Sequence, residues 1–199
     1  MNYSVAIAQQ RDTAALGTWV FLATELMFFG PLFFAYVYGR MHHPEAFAIA
    51  SRHTHVWLGV ANTAVLLTSS LTMALAVRAA NDGMRRALPW LLAVTAALGA
   101  AFLVIKGFEY HKEWEEALVP QFRFVFSGEH APGVELFYYL YFLMTGLHAL
   151  HLSIGIGLVC WFAVRPHPTA VEMTGLYWHF VDIIWIFLFP LIYLLERYR

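Results

Sequence analysis

The stretch Tyr177-Trp178-His179-Phe180-Val181-Asp182-Ile183-Ile184-Trp185 sets an imidazole and a carboxylate inside a run apolar enough to lie in a bilayer. A charge at mid-membrane costs several kcal/mol, roughly 3 on insertion scales, so ionisable residues in such a run point to function or assembly. His179 and Asp182, spaced i, i+3, share one helix face, and this spacing predicts contact between the ring N–H and the carboxylate. Glu25 stands mid-way along an earlier apolar run, between Thr24 and Leu26-Met27-Phe28-Phe29, with no basic residue on its own helix inside the membrane. It is expected to be a neutral acid, either hydrogen-bonded to a neighbouring helix or linked to proton transfer or to a partner.

His148 and His151, three apart, could present two nitrogens to one side. With Glu109, His179 and Asp182 they supply enough donors for a metal or haem site. No HExxH motif, Glu-x-x-His pair or Cys/His cluster accompanies them, so the pattern favours a buried hydrogen-bonded network over ligation, with contact to lipid headgroups as the third alternative. Lys106 and Glu109 fall near the end of their run, where snorkelling to the interface is the simpler expectation and an inward-turned Glu109 the alternative. His42, His43, His53, His55, His130 and His167 read as loop residues.

These residues need helices to hold them. A chain that is 60% hydrophobic and 13% charged is expected to be a multi-span membrane protein rather than a water-soluble globule. A net charge of −1 gives no argument for nucleic acid as a partner. Five segments reach the length of about 20 apolar residues that a helical span requires: Ala14 to Tyr38, Val56 to Val77, Ala87 to Ile105, Leu136 to Val164, and Gly175 to Leu195. They are too long and too continuously apolar for barrel strands, so the expected fold is all-α, a single multi-pass bundle of five transmembrane helices.

Trp19, Tyr36, Tyr38, Trp57, Trp90, Tyr110, Trp114, Tyr138, Trp161, Tyr193 and Tyr198 gather near the ends of these runs, as an aromatic belt would. Residues 1–13 lack a signal-peptide pattern, which predicts a retained first span. Arg78, Arg85 and Arg86 against Asp82 favour a cytoplasmic link between the second and third spans, which places the N-terminus inside and the C-terminus outside; Arg197 and Arg199 pull against that orientation. The segment from Tyr110 to Glu135 is net acidic and large enough to touch a partner. Asn62 and Ser69, with Thr63, Thr68, Ser70 and Thr72, form one surface for close helix contact; Gly146, Ala149, Ser153 and Gly157 form another. Cys160 is expected to be a small packing residue, and Pro190 to kink the last span.

Taken in order, Gly17-Thr18-Trp19-Val20-Phe21-Leu22-Ala23-Thr24-Glu25-Leu26-Met27-Phe28-Phe29, Asn62-Thr63-Ala64-Val65-Leu66-Leu67-Thr68-Ser69-Ser70, Phe108-Glu109-Tyr110, Thr145-Gly146-Leu147-His148-Ala149-Leu150-His151 and Tyr177-Trp178-His179-Phe180-Val181-Asp182 resemble subunit III of the haem-copper oxidases. Nearly the whole chain takes part, with each motif in a different span. The resemblance implies that Glu25 is the family's membrane-embedded carboxylate and that Glu109, His148, His151, His179 and Asp182 are its intramembrane polar set. It implies an accessory chain in a bacterial inner membrane, without redox centres of its own, bound to phospholipid and docked on a catalytic subunit I that holds haem and copper, with subunit II in the same complex. There it would support proton uptake, oxygen access and stability during turnover. The long form of the family has seven helices and this chain begins at what looks like the third, so the lipid cleft of the long form is in question unless the catalytic subunit supplies the missing pair. Thr24-Glu25-Leu26-Met27-Phe28-Phe29 resembles the cytochrome c oxidase branch, including its caa3-like members; quinol oxidases and, more distantly, nitric oxide reductases are the alternatives. A self-contained membrane metal or haem protein using His148, His151 and His179 is the competing reading from the residues alone.

Overall fold

Long apolar runs punctuated by proline and glycine set the helix boundaries. Pro44 heads α2 (Pro44–His53), Pro132 sits in the first turn of α5 (Ala131–Val164), and Pro168 heads α6 (Pro168–Phe189). A proline in the first turn gives up only an N–H that has no intrahelical partner. The remaining helices are α1 (Asn2–His42), α3 (Val56–Asn81) and α4 (Ala87–Glu115), and a small antiparallel hairpin, β1 (Leu118–Val119) and β2 (Arg123–Phe124), lies between α4 and α5. The computed structural model describes residues 2–54, 56–120, 123–126 and 129–194. His55, Arg197, Tyr198 and Arg199, with the side chain of His53, lie outside the described residues.

Asp12–His42, Val56–Asn81, Ala87–Glu115, Ala131–Val164 and Pro168–Leu194 are long and apolar enough to cross a membrane. The chain is therefore an all-α, multi-pass bundle with the five expected spans, each longer than the apolar run alone. α3, α4, α5 and α6 close a ring of neighbours, α3 and α5 each packing between α4 and α6; α1 leans on α5 and α6, and α2 lies at one end against α5. At the other end, Gly83 takes φ 70°, which lets the Met84 N–H reach the Ala79 carbonyl at 2.9 Å and its own N–H reach Ala80 at 3.4 Å. This glycine-capped motif closes the carbonyls of α3 and turns the chain straight into α4.

Several expectations change. Tyr110 to Glu115 extend α4 and Ala131 to Glu135 open α5, so the acidic connection shrinks to residues 116–130. Charge ended the third span on paper, but Lys106, Glu109 and Glu113 continue the buried stripe of α4 from Leu92, Gly99 and Phe102. The small-residue stripe on α5 faces the wrong way: Ser153 and Gly157 are exposed, and the close approach is made by Gly155 on the opposite side. Cys160 is exposed rather than packed. Of the aromatic residues, Trp19, Tyr38, Trp57, Trp90, Trp114 and Trp161 are exposed as a belt requires, whereas Tyr36, Tyr138 and Tyr193 are core residues. Pro190 does disrupt the last span, which changes from α6 to a π-helical turn over Pro190–Leu194. The Leu191 and Ile192 carbonyls in that turn accept from Tyr36 Oη at 2.9 Å and Ser51 Oγ at 3.0 Å.

The centre of the ring is Trp178. Its indole donates to Ser69 Oγ at 3.2 Å, and its faces are reached by α4 and α5 only because Gly99 and Gly155 carry no Cβ; one at Gly99 would meet the ring at 2.8 Å and one at Gly155 at 3.2 Å. Overpacking a rigid indole between two helices costs about 1 to 3 kcal/mol. Gly99→Ala should therefore lower stability to that extent in detergent unfolding experiments. Gly157→Ala, with nothing within 4 Å, should change it by less than about 0.5 kcal/mol.

Candidate functional site

The polar residues of the spans separate into clusters at different depths. The tightest is built on Lys106, whose side chain is 4% exposed. Its ammonium donates to Glu109 Oε2 at 3.0 Å, Tyr141 Oη at 2.9 Å and Tyr193 Oη at 2.7 Å. Both tyrosines then donate to Glu109 Oε1, Tyr141 at 3.2 Å. Four groups from α4, α5 and the π-turn thus form a closed knot, with the rings of Tyr110, Tyr141, Trp185 and Tyr193 lying 4.7 to 5.5 Å from the ammonium. An ion pair in a medium without water holds only when its remaining hydrogen-bonding capacity is also satisfied. Here all three ammonium protons and both carboxylate oxygens are engaged. One turn further, Glu113 is buried within electrostatic reach of both charges, and its carboxyl makes no hydrogen bond among the described residues.

Glu25 is not alone. His151 on α5 places Nε2 2.9 Å from its Oε2, while Nδ1 lies 2.8 Å from the Leu147 carbonyl. Only an N–H can satisfy that carbonyl, so Nδ1 is protonated and one further proton is shared between His151 Nε2 and Glu25. The pair is a neutral imidazole with a carboxylic acid or an imidazolium with a carboxylate. Tyr177 donates to the His151 carbonyl at 2.9 Å, and the Phe29 ring lies 5.3 Å from the imidazole. The pair borders an open groove of about 590 Å³ between α1, α5 and α6, with Phe21, Ile154 and Leu158 among its walls.

The expected His179–Asp182 contact is not made. Three residues advance a helix by about 300°, which leaves the two side chains about 60° apart. His179 Nδ1 meets Ser70 Oγ on α3 at 2.8 Å and borders a second, apolar groove, whereas Asp182 turns into the bundle with Ser70 as a neighbour. Asp182, Asn62 and His148 are buried with no hydrogen bond to their side chains among the described residues. His148 instead lies against rings, 5.1 Å from Trp185 and 5.5 Å from Phe102. The single network expected of Glu109, His148, His151, His179 and Asp182 is therefore three separate contacts and two unbonded groups. The histidines face different surroundings, and no group of three or more His, Cys, Asp or Glu among the described residues is arranged to hold a metal ion.

Lys106, Glu113, Tyr141 and Tyr193 were not read as members of a site from the sequence. Their signal was present: Lys106, Glu109 and Glu113 fall at i, i+3, i+7, the spacing that carries the core face of α4. No comparable local signal joins Glu25 to a partner 126 residues away.

A family profile described as Cytochrome c oxidase subunit III matches residues 7–196. Cytochrome c oxidase subunit 3 of Thermostichus vulcanus is 34% identical over 197 residues, which cover 94% of this chain and 90% of that protein. Cytochrome c oxidase subunit 3 of Corynebacterium diphtheriae is 31% identical over 202 residues, 96% of this chain and 93% of that protein. Cytochrome bo(3) ubiquinol oxidase subunit 3 of Pseudomonas aeruginosa is 29% identical over 191 residues, 90% of this chain and 83% of that protein.

The knot makes a double-mutant test direct. Lys106→Met leaves Glu109 buried without its cation and should cost about 3 to 5 kcal/mol in detergent unfolding. Lys106→Met combined with Glu109→Leu should recover most of that loss. Additive losses would show that the two residues do not act as a pair.

Proposed function

Because the chain belongs to the cytochrome c oxidase subunit III family, we propose that it is an accessory, non-redox subunit of a bacterial haem-copper terminal oxidase. It docks on the catalytic subunit I that holds haem and copper, beside subunit II, in the inner membrane. The observation that carries this reading is the use of the chain's intramembrane ionisable side chains: Lys106 and Glu109 on α4 are bound by Tyr141 of α5 and Tyr193 of the last span, partly buried Glu25 on α1 pairs with His151 on α5, and no group of three or more His, Cys, Asp or Glu among the described residues is arranged to hold a metal ion. Cytochrome c is the proposed donor branch, since the cytochrome c relatives quoted above are the more similar. The arginines Arg78, Arg85 and Arg86 support a cytoplasmic α3–α4 turn, and hence a cytoplasmic N-terminus and an external C-terminus.

Three supporting roles fit the geometry. The groove beside Glu25 and His151 has apolar walls in which oxygen and lipid chains are more soluble than in water, and a bound phospholipid would seal it. The shared proton of the pair gives that groove a group able to accept or donate a proton. The tied bundle would give the catalytic subunit a rigid neighbour that slows its inactivation. The competing reading, a self-contained haem or metal protein, asks His148, His151 and His179 to converge; they point instead at Phe102 and Trp185, at Glu25, and at Ser70.

Affinity purification of the tagged chain from native membranes in mild detergent should bring down haem-containing subunits, while the chain stripped of them should show no Soret band. Oxidase depleted of the chain should keep its initial oxygen-reduction rate and lose activity sooner during turnover. A reproducible haem spectrum from the isolated chain, or an immediate loss of initial rate on depletion, would overturn the accessory reading.

A further inference from the structure

None of the roles above uses Glu113. In the last turns of α4, His111, Lys112, Trp114, Glu115 and the adjoining Glu116 are exposed, whereas Glu113 is turned inward and buried. A glutamate so close to a helix end reaches water easily, and one that stays buried needs a partner. Helix side chains lean toward the N-terminus, so Glu113 leans back toward Glu109 and Lys106. Lys106 attracts its carboxyl, Glu109 and Glu116 repel it, and Tyr141 of α5 neighbours it as well as Glu109. Tyr110, Tyr138 and Tyr193 also lie within its field. One ammonium therefore faces two buried carboxyls. A buried charge that lacks a match is relieved by taking up a proton. Glu109 is the better placed to be the carboxylate, because it receives the ammonium and the O–H groups of Tyr141 and Tyr193, while the carboxyl of Glu113 makes no hydrogen bond among the described residues.

We propose that Glu113 is a proton-binding site and the reserve counter-ion of Lys106, so that the knot holds one ammonium, one carboxylate and one carboxylic acid, and either glutamate can be the carboxylate. When the proton leaves Glu113 it goes to Glu109; no other atom changes place, and the pair keeps its single negative charge. Lys106 stays matched throughout. The hydroxyl of Tyr141 can turn about its C–O bond and follow the charge from one carboxyl to the other. Acids coupled in this way take up and release protons as a pair rather than singly. The inference rests on the geometry of the knot and not on the place of the chain in an oxidase.

The test is infrared difference spectroscopy of the purified full-length chain in detergent, in ordinary and heavy water, read in the stretching band of protonated carboxyl groups. Glu113→Gln should remove one deuterium-sensitive component of that band. Glu109→Gln should remove the same component although Glu113 is still present, because Glu113 then ionises to match Lys106. Lys106→Gln combined with Glu109→Gln should restore it, since no cation is left in the knot to hold the charge. Thermal unfolding gives a second readout: Glu109→Gln with Glu113→Gln should lower the midpoint by more than the two single changes added together, as each glutamate covers for the other. A band unchanged by Glu113→Gln, a component that persists in Glu109→Gln or fails to return in the variant without Lys106, or additive shifts of the midpoint would overturn the proposal. So would a Glu109→Gln chain that does not fold while the Glu113→Gln chain does, because Glu113 would then be unable to replace Glu109.

Discussion

The bundle depends on how a lysine is kept inside a membrane. Lys106 sits on the buried stripe of α4, and leaving it unmatched there would cost more than most single packing contacts supply. Glu109 three residues on provides the countercharge, and the hydroxyls of Tyr141 and Tyr193 take the remaining proton positions. Meeting that demand has consequences across the fold. α4 must run on to Glu115 so that Glu109 faces inward, α5 must approach closely enough to present Tyr141, and the last span must turn Tyr193 into the same point.

Pro190 is part of the same solution. It ends the regular ladder of α6 and begins the π-turn that carries Tyr193. Two carbonyls of that turn accept from Tyr36 on α1 and Ser51 on α2. One charge pair is therefore linked through tyrosines and a proline to every helix except α3, and α3 is joined to α6 by Ser69 with Trp178, Thr63 with Trp185 and Ser70 with His179. Polar groups used in this way hold neighbours in register. Much of what remains exposed is apolar surface, with the Glu25–His151 pair at the edge of one groove.

The five spans were legible because twenty apolar residues in water-free surroundings leave the backbone few choices. The family was legible because its motifs lie one per span and in order. Partnerships were not. Glu25 and His151 are 126 residues apart, and nothing local in either span names the other. His179 and Asp182 share a helix face in the coarse sense, yet their side chains diverge toward different neighbours. The end of α4 was misread because charge near the end of an apolar run is ordinarily drawn to water; periodicity, which continued unbroken through Lys106, Glu109 and Glu113, was the better guide. The α5 stripe failed for the opposite reason. Small residues at helical spacing suit both a helix contact and a lipid face, and only the position of Trp178 selects Gly155 over Gly157.

Hydrogen–deuterium exchange of the chain in detergent, read for the backbone amides of Leu103 to Glu113, separates a buried knot from a snorkelling helix end. A knot makes these amides exchange only when the whole bundle opens, at the same slow rate as those of Phe137 to Thr145 on α5. Fast local exchange beyond Ile105, with α5 still protected, would mean that α4 frays where its charges begin and would contradict the ion pair as the constraint on which the fold rests.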